Sequence, residues 1–176
     1  MQRTDAELIR RSREADGDAF AELVRRYEKR VFGIVYRMLD DYAEATDITQ
    51  ETFIKTYTHL DQFDDERPFM PWLATIALNL ARNSLASIWA KRQALDDDLS
   101  SNTDEFTCLE VLDEVQSVLS HLTPEQREVI VLRHISDLTY EAIAEATGEK
   151  VSTVKSRLFE ARQRIKLLRI HEEAKL

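Results

Sequence analysis

The chain has 176 residues, of which 43% are hydrophobic, and it contains three glycines and three prolines. A substantial core is therefore possible, whereas all-β folds, which need Gly and Pro in many tight turns, are disfavoured. The single cysteine, Cys108, cannot form an internal disulfide, which fits the reducing cytoplasm. We expect no signal peptide and no membrane insertion, because no apolar run approaches the roughly 20 residues that cross a bilayer.

Charge is distributed unevenly within the net total of −9. Residues 1–94 carry 14 basic and 16 acidic side chains, and residues 115–176 carry 10 basic and 9 acidic ones. Residues 95–114 carry eight acids and no Lys or Arg, so they hold almost all of the negative charge. Within Lys150–Arg169, seven basic residues accompany one acid, Glu160. A solvated helix face explains such a stretch as well as nucleic-acid binding does, so charge alone leaves both interpretations open.

Four helices are predicted before the acidic segment. A capping box that starts at Thr4 predicts a short helix over Asp5–Glu14. Apolar residues at three- and four-residue steps predict a long helix over Ala19–Leu39, a third over Ala43–Leu60 and a fourth over Pro71–Ala90. The stripe expected to be buried in the third helix consists of Ile48, Phe53, Ile54, Tyr57 and Leu60.

The acidic segment predicts a domain boundary. Leu95–Thr107 is polar and without clear period, which is typical of a flexible linker. We therefore predict an all-α protein of two domains, residues 1–94 and 109–176, with residues 95–108 as the linker between them. The helices predicted in the second domain are Leu109–Ser120, Thr123–His134, Thr139–Ala146 and Ser152–Ile170.

The last two predicted helices have the spacing of a helix-turn-helix. This motif needs a small residue where the helices cross, a residue that tolerates a left-handed turn four positions later, and an apolar residue six further on. Ala144, Gly148 and Val154 meet these requirements. Ile143, Leu158 and Ala161 complete the apolar seam. An ordinary helical hairpin with a glycine at its turn is the alternative.

The second helix of such a motif enters the major groove of DNA, where Arg and Lys contact guanine edges or phosphates. Ser and Thr hydroxyls can bond to either. The residues expected to contact DNA are Ser152, Thr153, Lys155, Ser156, Arg157, Phe159, Glu160 and Arg162.

Longer stretches resemble one known family. Asp47–Tyr57 (DITQETFIKTY) and Phe69–Asn79 (FMPWLATIALN) look like the core-binding and −10-reading domain of extracytoplasmic-function (ECF) sigma factors. Leu122–Ile130 (LTPEQREVI), Leu138–Ala144 (LTYEAIA) and Thr153–Arg157 (TVKSR) resemble their −35-reading domain. The resemblance extends over nearly the whole chain, and the order of the motifs agrees with the family. Its spacing after Asn79 is most similar to the envelope-stress branch.

The resemblance implies a protein that binds core RNA polymerase and promoter DNA, and that is held inactive by an anti-sigma factor. The polymerase-binding residues would be Asp47, Gln50 and Glu51, whose carboxylate and amide groups suit an Arg-rich coiled coil. Residues that read the −10 element would be Gln62, Phe63, Asp64, Asn79, Arg82 and Asn83. An aromatic surface with amide groups suits a base flipped out of the stack.

Several assignments stay open at this point. Asp47 could be an ordinary charge on a helix face, and Trp72 could be a stacking wedge or a core residue, with the core favoured by its spacing. The acidic linker could mimic RNA in a polymerase channel or serve as a solvated tether. Asp64 and Glu160 stand where many relatives carry Arg, which leaves the promoter sequence and the affinity for DNA in doubt. We expect weak binding of the free chain to DNA.

Three other functional classes compete with a sigma factor. An enzyme is disfavoured, because the four histidines are scattered and the three glycines form no phosphate-binding loop, so no cofactor or metal is expected. The stronger alternative is a free-standing helix-turn-helix regulator that binds paired half-sites as a dimer. A sigma mimic that binds polymerase without initiating transcription is a third possibility. We expect the protein to act in the cytoplasm.

Overall fold

The computed structural model describes residues 3–94 and 110–173, which form α-helices and no β-strand. The helices are α1 (Asp5–Arg13), α2 (Gly17–Leu39), α3 (Tyr42–Thr58), α4 (Phe69–Ala94), α5 (Glu110–Ser120), α6 (Pro124–Ile135), α7 (Tyr140–Thr147) and α8 (Val151–Glu173). A 3-10 turn over Leu60–Gln62 follows α3. The all-α prediction is confirmed. The predicted linker, residues 95–108, lies outside the described residues.

Local capping chemistry sets where most helices begin. Thr4, Asp16 and Asp41 each accept a backbone N–H from the first turn of α1, α2 and α3, respectively. Thr123 and Gln126 form the reciprocal bonds of a capping box at α6, as the sequence predicts. Helix α4 begins at Phe69, so that Pro71 lies within the first turn, where a missing N–H breaks no helical bond.

The N-terminal lobe, defined as α1–α4, packs around α2. Helices α1, α3 and α4 all contact α2, and α3 also contacts α4. The interior of this lobe is apolar and includes Leu8, Leu23, Val35, Phe53 and Leu73. Helix α2 is amphipathic, as the spacing of its apolar residues predicts, since Leu23, Val31, Ile34, Val35 and Met38 are all buried.

The predicted orientation of α3 is wrong at two positions. Ile54 is 64% exposed and Tyr57 is 46% exposed, although both were assigned to the buried stripe. Three threonines point inward instead, and each hydroxyl donates to the carbonyl four residues earlier at 2.7 Å: Thr49, Thr52 and Thr56. Because these hydroxyls are satisfied within the helix, burying them leaves no unpaired polar group. A prediction from apolar residues alone therefore assigns the wrong face of α3 to the core.

The C-terminal lobe, defined as α5–α8, contains the helix-turn-helix. Gly148 ends α7 with φ of 72°, in the left-handed region that glycine adopts without strain. Beyond it, Val154, Leu158 and Ala161 of α8 are fully buried against Ile143 of α7. The seam predicted from the sequence is confirmed.

The two lobes pack on each other across α2 and α4. Helix α2 contacts α6, and α4 contacts α7. Four buried side chains of the N-terminal lobe join the apolar interior of the C-terminal lobe: Ile34, Met70, Ala74 and Leu78. We call this contact the interlobe seam. The lobes predicted as separate bodies are therefore in contact here, because these four side chains face the other lobe rather than their own core.

Candidate nucleic-acid and polymerase interfaces

The outward face of α8 presents polar and cationic side chains next to one exposed aromatic ring. Five of the predicted DNA-contacting side chains are solvent-exposed with hydroxyl, amine, carboxylate or guanidinium ends: Ser152, Lys155, Ser156, Glu160 and Arg162. Phe159 is 64% exposed, which is unusual for a phenylalanine in a small domain. Thr153 is half-buried. The same helix buries its other face, so the exposed set projects away from the lobe.

Contacts within the C-terminal lobe orient several of these side chains. Arg157 is half-buried and pairs with Glu149 at 3.0 Å, so the flexible cations of the face are Lys155 and Arg162. The Lys155 ammonium lies 5.9 Å from the centre of the Tyr140 ring, within range of a cation–π contact. The departure from the family at Glu160 has a partner, since the Gln126 amide donates to its carboxylate at 3.3 Å.

The loop after the 3-10 turn holds the predicted −10 residues in two different environments. Gln62 and Asp64 are exposed, whereas Phe63 is only 5% exposed. The Phe63 ring packs against Phe69 and Trp72, with ring centres 5.4 Å and 4.9 Å apart. The expectation that Phe63 offers a surface for an unstacked base therefore fails, because the ring is used to fix the loop on α4.

A groove of about 280 Å³ between α3 and α4 collects three of the predicted −10 residues. Gln62 contributes from the 3-10 turn, and Asn79 and Asn83 contribute from one face of α4. The other side chains that line it are Lys55, His59, Trp72, Ile76 and Leu80. Trp72 packs partly on the core, as its spacing predicts, and also lines this groove, so its role as a stacking wedge stays a prediction.

The sixth predicted −10 residue, Arg82, lies elsewhere. Its guanidinium projects toward the C-terminal lobe and pairs with Glu128, whose side chain is almost fully buried. Burial raises the pKa of Glu128, and the charge and hydrogen bond of Arg82 oppose that rise. Arg82 thus belongs to the interlobe seam in this structure.

A second cleft, of about 310 Å³, separates the −10 loop from α7. Asp64 and Arg67 line it on the loop side, and Glu141 and Glu145 line it on the α7 side. Arg67 and Glu145 form an exposed ion pair across the cleft. The first helix of the helix-turn-helix therefore lies beside the loop that is predicted to read the −10 element.

The face of α3 opposite the N-terminal core carries the predicted polymerase-binding residues. Asp47 and Gln50 are exposed, and Glu51 pairs with Lys55 at 3.2 Å on the helix surface. Ile54 follows Asp47 by seven residues and lies on this same exposed face. The apolar pattern of α3 wrongly assigns Ile54 to the core. Glu51 and Asp47, one and two helical turns before Ile54, are charged, and their positions indicate that this face of α3 is exposed.

No helix in the described parts of the chain is long and apolar enough to span a bilayer. Nor do three or more His, Cys, Asp or Glu side chains gather anywhere in residues 3–94 and 110–173 in a way that could hold a metal ion.

Comparison with known proteins agrees with the two-lobe organisation. Residues 23–96 match the family described as Sigma-70 region 2, and residues 112–165 match Sigma-70, region 4. The chain is 32% identical over 181 residues to the RNA polymerase sigma-H factor of Pseudomonas aeruginosa, with 93% of each chain covered. It is 31% identical to the ECF RNA polymerase sigma factor SigW of Bacillus subtilis, covering 90% of this chain and 92% of that one.

A solved structure shares the arrangement of both lobes. CnrH, in its complex with the cytosolic domain of CnrY, matches with a TM-score of 0.76 at 27% identity, covering 93% of this chain and 96% of that chain. Full-length relatives, two family domains in the expected order and a common fold lead to one conclusion. The chain belongs to the ECF sigma factors: it is an alternative sigma factor, which binds core RNA polymerase and directs promoter-specific initiation of transcription.

Proposed function

We propose that three separate surfaces of this sigma factor divide its work. The α3 face binds core polymerase, the groove between α3 and α4 reads the −10 element, and the outward face of α8 reads the −35 element. The observation that supports this division most directly is the groove, in which Gln62, Asn79 and Asn83 converge although 21 positions separate the first from the last.

The polymerase-binding surface combines charge with an apolar centre. Asp47 and Glu51 supply carboxylates, which pair well with arginines, and Gln50 supplies an amide. Ile54 adds an exposed aliphatic side chain on the same face. Interfaces generally place an apolar contact at the centre and polar contacts at the rim, so Ile54 is the residue we expect to be buried by polymerase.

The −10 groove suits a single-stranded base rather than a duplex. Its amides can bond to the Watson–Crick edge of an unpaired base, and the apolar edges of Trp72 and Ile76 can contact its face. Lys55 and His59 lie on the opposite wall, where a phosphate would be accommodated.

On α8, Lys155 and Arg162 supply cations for phosphates or guanine edges, while Phe159 offers an apolar contact such as a thymine methyl group. Glu160 can accept a bond from the amino group of cytosine. This mixed surface, with few free cations, supports weak binding by the isolated chain.

The proposal extends to partners and location. The chain itself performs no chemistry, acts in the cytoplasm and is inhibited by an anti-sigma factor. The support for the last statement is that CnrH, whose fold this chain shares, is bound to another protein, the cytosolic domain of CnrY.

A reconstituted transcription assay tests the assignment of surfaces. The promoter is first recovered by sequencing the DNA that copurifies with polymerase when the chain is overproduced. Asp47→Ala and Ile54→Ala should each weaken binding to core polymerase, by about tenfold for a hot-spot side chain. Glu28→Ala, an exposed acid on α2, is the matched control and should bind normally. Normal polymerase binding by both α3 variants would refute the assignment of this face.

The same assay separates the sigma factor from a dimeric regulator. Asn79→Ala should reduce initiation at the wild-type −10 element but leave polymerase binding intact, because Asn79 lies on α4 and not on the α3 face. Tight duplex binding by a dimer, without polymerase, would instead support the regulator.

A further inference from the structure

Arg13, the last residue of α1, makes a contact that the functions assigned so far do not use. Its guanidinium reaches the segment that follows α3 and donates to three groups there. Nε and Nη2 donate to the carbonyl of Leu60 at 3.2 and 3.1 Å. Nη2 also donates to the carbonyl of Phe63, and Nη1 donates to the carboxylate of Asp65 at 3.1 Å.

Only an arginine can make this set of bonds from one position. A guanidinium carries five N–H donors in a rigid plane, so it can serve two carbonyls and a carboxylate together. The side chain is 23% exposed, which limits competition from water. The hydrogen bond from Arg13 lowers the pKa of Asp65 below its ordinary value of 3.8, as expected for a carboxylate that accepts from a guanidinium.

The three anchored residues flank Gln62 and Asp64, two exposed residues of the −10 loop. Leu60, Phe63 and Asp65 are tied to Arg13, and Gln62 and Asp64 lie between them with their side chains in solvent. The loop is therefore held from α1 through two backbone carbonyls and one side-chain carboxylate. Glu66 adds a local bond, since its N–H donates to the Asp64 carboxylate at 3.1 Å.

We propose that Arg13 is a positioning residue for promoter recognition: it fixes the loop so that Gln62 faces a base in the −10 groove, with Asp64 held beside it in the same loop. This role rests on the proposed function of the groove and extends it to α1. Helix α1 lies before residue 23, where the match to Sigma-70 region 2 begins, so the −10 reader of this chain is larger than the matched domain.

A purely structural role for Arg13 would give a different result. In that case its loss would lower stability and reduce transcription equally on all promoters. A positioning role affects discrimination, because a loose loop still allows DNA to bind but no longer fixes which base is accepted. The informative quantity is thus the ratio of initiation on the native promoter to initiation on promoters with a substituted −10 base.

The experiment uses holoenzyme assembled from core polymerase and the full chain. Arg13→Ala should reduce the discrimination ratio by about tenfold, while affinity for core polymerase and activity on the least-favoured −10 sequence stay near wild type. Arg13→Lys keeps the charge but not the planar set of donors, so it should restore only part of the ratio. Arg10→Ala removes an exposed cation from the same helix and should leave the ratio unchanged.

Gln62→Ala and Asp64→Ala distinguish failure of this proposal from failure of the proposed function. A reduced ratio in these two variants with an unchanged ratio in Arg13→Ala would overturn the positioning role alone. An unchanged ratio in all three would remove the loop from −10 reading and overturn both. If Arg13→Ala unfolds at the assay temperature, Arg13→Lys carries the test, and a wild-type ratio in that variant would overturn the requirement for a guanidinium.

Discussion

The two lobes differ in how they complete their interiors. Among the described residues, the apolar cluster of the N-terminal lobe is built from that lobe alone, from Leu8 to Ala81. The cluster of the C-terminal lobe instead incorporates four buried side chains of its neighbour, including Ile34 and Leu78. The main core of the N-terminal lobe is therefore complete within that lobe, whereas the core of the C-terminal lobe includes side chains from across the interlobe seam.

Polar contacts at the interlobe seam follow the same asymmetry. Glu128 of the C-terminal lobe is 6% exposed and depends on Arg82 for a charged partner. Arg127 donates to the carbonyl of Met38 at 3.3 Å, and burial lowers the pKa of its guanidinium. We expect the C-terminal lobe to lose more stability than the N-terminal lobe when the two separate, because it leaves behind both apolar and ionic partners.

Leu158→Ala gives the largest expected effect and isolates the weaker lobe. Leu158 is fully buried in the helix-turn-helix, so its truncation should destabilise the C-terminal lobe by about 2–5 kcal/mol. Both tryptophans lie in α4, so their fluorescence reports the N-terminal lobe, whereas circular dichroism reports all helices. In urea, ellipticity should be lost earlier than in wild type while the fluorescence transition stays in place.

Leu73→Ala is the matched control in the N-terminal core and should move the fluorescence transition. Equal shifts of both signals in Leu158→Ala would show that the lobes unfold as one unit, and the asymmetry would be wrong.

Arg82→Ala should have the next largest effect, because it leaves the buried Glu128 carboxylate without its partner. The expected loss of docking is about 1–3 kcal/mol near neutral pH. Arg157 also lowers the pKa of Glu128, and Glu125 raises it, but the charge and the hydrogen bond of Arg82 lower it the most. Without Arg82 the pKa of Glu128 should therefore rise further above its ordinary value of 4.5.

The sign of the pH dependence follows from that rise. A carboxyl whose pKa is raised in the docked state stabilises docking fully below the ordinary value and loses that contribution as pH rises through the raised value. The ellipticity transition of Arg82→Ala should thus come earlier at about pH 8 than at about pH 5. Adding Glu128→Gln removes the titrating group and should abolish the difference, and an unchanged pH dependence in this double variant would exclude Glu128 as its source.

Gly33→Ala tests the interlobe seam and should have a smaller effect. It should raise the stability of the N-terminal lobe slightly and lower that of the C-terminal lobe slightly. In the interior of α2, alanine should stabilise the helix by about 0.5–1 kcal/mol relative to glycine. A Cβ at this position would lie 3.3 Å from Cγ2 of Ile135 in the C-terminal lobe, so the seam would have to shift. The fluorescence transition should move to slightly higher urea while the ellipticity of the C-terminal lobe is lost slightly earlier.

Gly17→Ala is the control, because a Cβ there meets nothing within 4 Å. It should affect α2 alone. A later loss of C-terminal ellipticity in Gly33→Ala would mean that the seam tolerates the methyl group.

Features governed by local bonds could be predicted from the sequence. The capping box at Thr123 and the left-handed turn at Gly148 depend on residues within a few positions of each other, so their chemistry can be identified without knowing the fold. The helix-turn-helix seam follows from the same local geometry, and so do the positions of Lys155 and Phe159 on the outward face.

Features governed by distant contacts could not be predicted. The inward threonines of α3 are counted as polar by the apolar pattern, although their hydroxyls are satisfied inside the helix and can be buried. The pattern therefore predicts the wrong buried face. Ile34 and Leu78 have the spacing of core residues, and nothing in the sequence indicates that the core they enter belongs to the other lobe. Arg13 is separated by 47 positions from the first carbonyl it binds, so only the fold reveals that contact.

Phe159→Ala has the smallest expected effect on stability. It can therefore test DNA binding by the C-terminal lobe without unfolding that lobe. Phe159 directly follows Leu158 in α8, yet one ring is 64% exposed and the other side chain is 1% exposed. Truncating the exposed ring leaves no cavity, so the urea transitions should coincide with those of wild type.

Binding should nevertheless change, because the exposed ring lies on the face of α8 that we propose to read the −35 element. We expect Phe159→Ala to weaken −35-dependent binding of the holoenzyme by about fivefold, equivalent to about 1 kcal/mol, without altering the dependence on the −10 element. A steeper loss for Lys155→Ala at low salt than at high salt would identify the phosphate component of the same face. If Phe159→Ala binds like wild type at every salt concentration, the ring does not contact DNA, and its exposure then belongs to another surface of the holoenzyme.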